Sequence, residues 1–170
     1  TGTISKRDVE KVTVDTTVQE KAVAFPTDTR LCQKARAALV AEAKAQGVKL
    51  RQSYVRKGKE AHYKANKYMS ARKYKQGRKQ IRHVRDYLGR VIRDIERAVD
   101  RDPSLQAVFD DKLAKARIIY NQTLNRQADQ KLYAWHAPEV ECIGKGKAHK
   151  KYEFGCKASY TTTNSSNFIV

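Results

Sequence analysis

Asp15 sits in a run in which Val12, Val14 and Val18 alternate with Thr13, Asp15 and Thr17. Period-2 alternation of this kind predicts a half-buried strand. A carboxylate fixed on a strand is a rigid, hard oxygen donor of the type that holds divalent metal ions. On spacing alone the plainer reading is an exposed strand aspartate bonded to Thr16 or Thr17. Other acids, among them Glu139, Glu141 and Glu153, read as structural or surface groups. His136, Cys142, His149 and Cys156 are zinc-ligand types, yet the gaps of five, six and six residues between them fit no compact zinc knuckle. Gly144-Lys145-Gly146-Lys147 lacks the eight-residue phosphate-loop pattern and the helix that should follow it. A Cys–His nucleophile is a weaker expectation than buried thiols.

The stronger chemical signal is cationic. The 170 residues carry 36 Lys+Arg against 18 Asp+Glu, a formal charge of +18. Residues 49–101 alone hold 18 of those basic groups and 5 acids, net +13. A field concentrated in one segment argues for a polyanionic partner, nucleic acid before an acidic membrane surface. Lys64, Lys67, Arg72, Lys73, Lys75, Arg78, Lys79, Arg82 and Arg85 are the candidate phosphate contacts. Tyr63, Tyr68 and Tyr74 lie among them and are candidates for stacking on unpaired bases. Their plainer role is to fold onto a partner helix.

Several elements must position these groups, and the apolar patterning along the chain predicts an α+β fold. A first strand is expected near 9–18. Pro26 ends that region, and Thr27 or Asp28 caps a helix striped by Leu31, Ala35, Ala38, Leu39 and Ala43 as far as Gly47. From about 59 to 99 the spacing predicts one long helix, with Ile81, Val84, Leu88, Val91, Ile92, Ile95 and Val99 on its apolar face. Gly77 and Gly89 are the expected points of kinking or fraying. Asp102-Pro103 restarts a helix over about 104–132, so the two should form an antiparallel hairpin. Further strands are expected near 152–162 and 167–170. Residues 1–26, 27–133 and 134–170 are thus read as a first core strand, a helical insertion, and an incomplete second and third strand. No apolar run approaches the roughly 20 residues of a membrane span, and the opening residues lack a secretion signal. Three widely spaced cysteines suit reduced thiols in a cytoplasm.

Several separate words along the chain resemble bacterial DDE-type insertion-sequence transposases. They are Val14-Asp15-Thr16-Thr17-Val18-Gln19-Glu20-Lys21-Ala22 with Phe25-Pro26-Thr27-Asp28, then Leu50–Tyr54, then Tyr87–Ile95. The stretches His136–Lys147 and Tyr152–Lys157 complete the resemblance. It implies the start of a ribonuclease H-like mixed sheet, interrupted by the basic helices, and Mg²⁺- or Mn²⁺-dependent cleavage and transfer of DNA strands. It further implies Asp15 as the first catalytic and metal-binding aspartate, transposon-end DNA and other transposase subunits as partners, and a cytoplasmic, nucleoid-associated setting. Neither a membrane nor a small-molecule substrate is implied. The second aspartate and the glutamate of that family are expected beyond Val170, so this chain by itself is expected not to cleave DNA. The open strand edge and Phe168–Val170 are expected to promote self-association. The competing expectation is a non-catalytic basic nucleic-acid-binding protein, a transposase relic included.

Overall fold

The computed structural model describes residues 9–125, 127–144, 146, 149, 151–164 and 168–169. The chain is α+β and divides into two compact units. One comprises residues 1–23 and 139–170, the other residues 24–138.

The helical unit begins with α1 (Asp28–Ala45), whose N-cap Thr27 accepts from the Arg30 amide. Then come α2 (Val55–Ser70), α3 (Tyr74–Arg101) and α4 (Gln106–Leu124), with a short 3₁₀ turn at Pro103–Leu105 before α4. Asp102 caps that turn, as the Asp-Pro pair leads one to expect. The core is built from Leu31, Ala35 and Leu39 of α1, Val84, Leu88, Val91 and Ile95 of α3, and Phe109, Leu113 and Ile119 of α4. α2 adds only Gly58, Ala61 and Ala65 to the buried set. Small side chains let it lie close against its neighbours.

The single long helix expected over 59–99 is therefore two helices, parted at Ala71-Arg72-Lys73. α2 and α3 run antiparallel: Tyr54 at the start of α2 stacks on Tyr87, and Met69 near its end lies against Gly77. The break falls at neither glycine proposed as a kink. Both glycines lie within α3 and serve close packing instead. A Cβ on Gly77 would meet the Met69 Sδ at 2.6 Å, and one on Gly89 would meet the Tyr120 ring at 2.6 Å. Ala71-Arg72-Lys73 contains neither glycine nor proline, so no local breaker marks the break in the sequence.

The α3–α4 pairing is antiparallel as expected, with Arg117 of α4 paired to Glu96 of α3 at 2.7 Å. α3 also packs on α1 and α2, so the expected two-helix hairpin is part of a four-helix unit. α4 stops at Leu124 rather than near 132. Beyond it the chain folds back, and the buried Gln122 amide bonds both the N–H and the C=O of Leu132, at 2.8 and 3.1 Å. Those two bonds satisfy backbone groups that a continuing helix would have satisfied.

The second unit holds a three-stranded antiparallel sheet in the order β1–β3–β2: β1 (Val12–Glu20), β2 (Glu141–Gly144) and β3 (Tyr152–Thr163). Every pairing among the described residues is antiparallel, whereas a mixed sheet was expected. β2 was not foreseen. Its four residues are too few to show an alternation. The strand expected at 167–170 lies partly outside the described residues; within them, Ile169 makes one isolated bridge to Thr162. The alternation of β1 locates the strand, but of its valines only Val18 is half-buried. Val14 is 65% exposed and Val12 40%.

Candidate nucleic-acid interface

The tip of the α2–α3 hairpin gathers the cations. Lys75, Arg78, Lys79 and Arg82 are spaced at i, i+3, i+4 and i+7 along the first half of α3, which sets them on one helix face. All four are exposed, as are Lys67 at the end of α2 and Arg72 and Lys73 in the link. Among the described residues none of these seven forms an ion pair. The first turn of α3 holds no acid. Its unpaired amides therefore add their own positive potential to the tip.

The other two candidates are engaged differently. Lys64 pairs with Glu60 one turn earlier at 2.5 Å, which holds the lysine's pKa above the usual range. Arg85 is half-buried, bonded to Asp86 at 2.9 Å, with its guanidinium 6.0 Å from the Tyr120 ring centre. It packs α3 on α4 more than it faces solvent. Of the tyrosines, Tyr63 and Tyr74 are exposed and Tyr68 is half-buried.

The link has a definite geometry. The Lys73 amide donates to the Tyr68 carbonyl at 2.8 Å, and the Arg72 amide donates to the Met69 carbonyl at 3.1 Å. This is the Schellman closure of a helix C-terminus, in which one residue turns left-handed. Arg72 is that residue, at φ +57°. An L-residue there costs about 1–2 kcal/mol, and glycine is the usual occupant. α1 ends in the same motif with a glycine. Gly47 at φ +67° donates to Lys44, and Val48 donates to Ala43. The sequence offers no sign of this at Arg72, because it lacks the glycine by which such ends are found.

Asp15 lies near the middle of β1, opposite Tyr160 of β3, and is exposed. Its Oδ1 accepts from the Thr16 amide at 2.7 Å and its Oδ2 from the Tyr160 hydroxyl at 3.0 Å. The second bond raises the pKa of the Tyr160 phenol, since it and the nearby negative charge both favour the protonated form. Glu141 pairs with Gly155, and Glu153 is two residues from that glycine along β3. Strand alternation therefore places both glutamates on the opposite face from Asp15. Glu139 pairs with Lys21. Among the described residues no group of three or more His, Cys, Asp or Glu side chains is placed to hold a metal ion. One carboxylate does not make a two-metal site, so the described residues do not fit one by themselves. Lys145 and Lys147, the two lysines of the glycine-rich loop, lie outside the described residues.

No helix among the described residues is long and apolar enough to cross a membrane. No family model matches the chain, and no solved structure matches it significantly. Over 74 residues the chain is 51% identical to a Rhizobium meliloti protein described as uncharacterized protein ORF8 in the nfe locus. The matched stretch covers 44% of this chain and 36% of that relative's length.

Proposed function

We propose that the chain is part of a DDE-type insertion-sequence transposase in which the helical unit grips DNA through the tip of the α2–α3 hairpin. The observation that carries the DNA-binding part is the run of seven exposed cations without acid partners, from Lys67 to Arg82. Surface cations are ordinarily offset by interspersed acids. Here the first acid after Glu60 is Asp86, and the tip between them has the charge spacing of a phosphate-binding surface. The transposase part rests on the sequence words around Asp15 and Glu139–Lys157. It is also favoured by Asp15 standing in mid-strand, beside an antiparallel neighbour, on a β1 whose second edge has no partner among the described residues. On this reading the sheet is the start of a ribonuclease H-like core, Asp15 is one of several carboxylates that bind Mg²⁺ or Mn²⁺, and the others lie elsewhere in a longer protein. Transposon ends and further transposase subunits are then the partners, and the nucleoid is the setting.

A second reading, a nucleic-acid-binding protein without catalysis, is favoured by one observation. Both Asp15 oxygens already accept hydrogen bonds within the sheet.

DNA binding is tested by fluorescence anisotropy with a labelled duplex over a range of salt. Changing Lys75, Arg78, Lys79 and Arg82 together to Gln should flatten the slope of log affinity against log salt by about 3–4, close to 0.9 per lost contact. An unchanged slope rules the tip out as the phosphate contact. The catalytic part is tested by Asp15→Asn in the longer protein, where strand cleavage should vanish with DNA binding kept. Undiminished cleavage removes Asp15 from the mechanism and leaves the second reading.

A further inference from the structure

Arg72 is out of place on folding grounds. It occupies the left-handed position of a helix end where Gly47 shows the residue that fits without strain. Its side chain is exposed and, among the described residues, makes no hydrogen bond or ion pair that would offset the strain. The other non-glycine residue at positive φ, Tyr54, is explained by its packing: the ring stacks on Tyr87 at 4.6 Å and the hydroxyl accepts from Arg90. Strain that the protein's own contacts do not explain points to a contact made outside it.

The geometry of the tip narrows what that contact is. Two packed helices, each about 10–12 Å across with axes 8–10 Å apart, present a front of roughly 20 Å. That is wider than the major groove of B-DNA at about 12 Å, and far wider than the minor groove at about 6 Å. Set abreast across a groove the pair enters neither, and even a single helix end is too wide for the minor groove. For the minor groove, only a side chain of the three-residue link is narrow enough. Arg72 stands in the middle of that link, with Lys73 beside it, Lys67 on the α2 side and Lys75 and Arg78 on the α3 side. Cations on both flanks match a groove with phosphates on both walls, and the closely spaced walls of the minor groove suit them best.

We propose that Arg72 is a groove-inserting contact: the hairpin tip straddles the minor groove of duplex DNA, its flanking lysines on the phosphates and the Arg72 guanidinium between the walls. This inference rests on the DNA-binding reading above and adds the groove and the residue that reads it. Narrow A·T tracts concentrate negative potential in the minor groove, and arginine exploits this better than lysine because its guanidinium is more weakly hydrated. The tip should therefore prefer A-tract duplexes without a base-by-base code.

The test compares the full chain with Arg72→Gly, Arg72→Lys and Lys79→Gln on two duplexes of equal length, one with a central A-tract and one G·C-rich. The wild-type chain should favour the A-tract duplex, and netropsin, a minor-groove ligand, should displace it. Arg72→Gly removes strain and so folds; it should bind the A-tract duplex roughly tenfold more weakly and lose the preference. Arg72→Lys should keep the salt slope but lose most of the preference. Lys79→Gln should weaken binding to both duplexes alike, with a slope smaller by about 1. The proposal is overturned if Arg72→Gly and Lys79→Gln behave alike with the preference intact. Displacement by the major-groove ligand methyl green but not by netropsin also overturns it. If the wild-type chain shows no salt-dependent duplex binding, the underlying reading fails and this one with it.

Discussion

α2 is bracketed by two residues with the same unfavourable backbone geometry and opposite surroundings. Tyr54, just before the helix, has φ +55°; Arg72, just after it, has φ +57°. Tyr54 is 9% exposed and held on several sides. Its ring stacks on Tyr87, Arg90 lies 5.8 Å from the ring centre, and the preceding carbonyl of Ser53 accepts from the buried Arg36 at 2.7 Å. Its own carbonyl accepts from Gly58 at 2.7 Å. Tertiary contacts fix that end, and the left-handed turn follows from them. Among the described residues, Arg72 has only the helix closure around it, its own amide bonded to the Met69 carbonyl and the next amide, of Lys73, to the Tyr68 carbonyl. The same dihedral angle is thus a by-product of packing at one end and a standing local penalty at the other. A backbone outlier carries functional meaning only where the packing around it leaves the strain unexplained.

The largest effect that probes this contrast belongs to Tyr54. Tyr54→Ala removes a buried aromatic ring and should destabilise the chain by about 3 kcal/mol in urea unfolding. Tyr54→Gly loses the same contacts but tolerates the left-handed geometry, so it should be the less damaging variant by roughly 1 kcal/mol. If the glycine variant is instead clearly worse, the strain at Tyr54 is negligible and its left-handed turn differs from that of Arg72.

An intermediate effect is expected from a reciprocal pair at the two Schellman ends. Arg72→Gly should raise stability by about 1 kcal/mol, and Gly47→Arg should lower it by a similar amount. Nothing lies within 4 Å of a Cβ built on Gly47, so that substitution reports backbone strain without a clash. The midpoint of thermal or urea unfolding measures both. A neutral Arg72→Gly would mean that the arginine is not strained and that no outside contact is needed to offset it.

The smallest effect concerns the middle of α2. His62 is half-buried; its Nε2 lies 3.3 Å from the Asn66 amide, while Nδ1 is buried with no hydrogen-bond partner. Burial, and then the charge of Arg30, lower its pKa from 6.5. The unfolded chain therefore binds the proton more tightly than the folded one. Stability from this group is complete above pH 6.5 and declines as pH falls from there through the lowered folded value. His62→Gln should flatten that part of the urea-midpoint profile against pH. An unaltered profile would assign the acid sensitivity to other groups. Arg30 belongs to α1, so this effect should loosen the packed side of α2 and leave the tip closure as it was.

Much of the helical unit is legible in the residues. The Leu31–Ala43 stripe, the Val84–Val99 stripe and the Asp102-Pro103 restart are local signals, and local hydrogen bonding and amphipathicity suffice to realise them. The candidate interface is legible for a simpler reason. Charges crowded into a short stretch have little place to go but the surface, and seven of the nine named cations are exposed there. Lys64 and Arg85 depart from that expectation because each lies within reach of a neighbouring acid. The sheet is less legible. β2 is too short to show its period, and the pattern of β1 does not reveal that Val12 and Val14 are uncovered.

The sequence by itself determined where the charge lies, where most of the helical residues fall and that Asp15 sits on a strand, because periodicity and composition act over a few residues. Tertiary structure decided where the long helical stretch breaks. Ala71–Lys73 becomes a link where α2 ends in its Schellman closure and α3 turns back to pack antiparallel on it. It also decided that Gly77 and Gly89 are sites of close approach, and that Asp15 and the β2–β3 glutamates face opposite ways. Each outcome depends on which distant surface a residue meets, and no local preference encodes that.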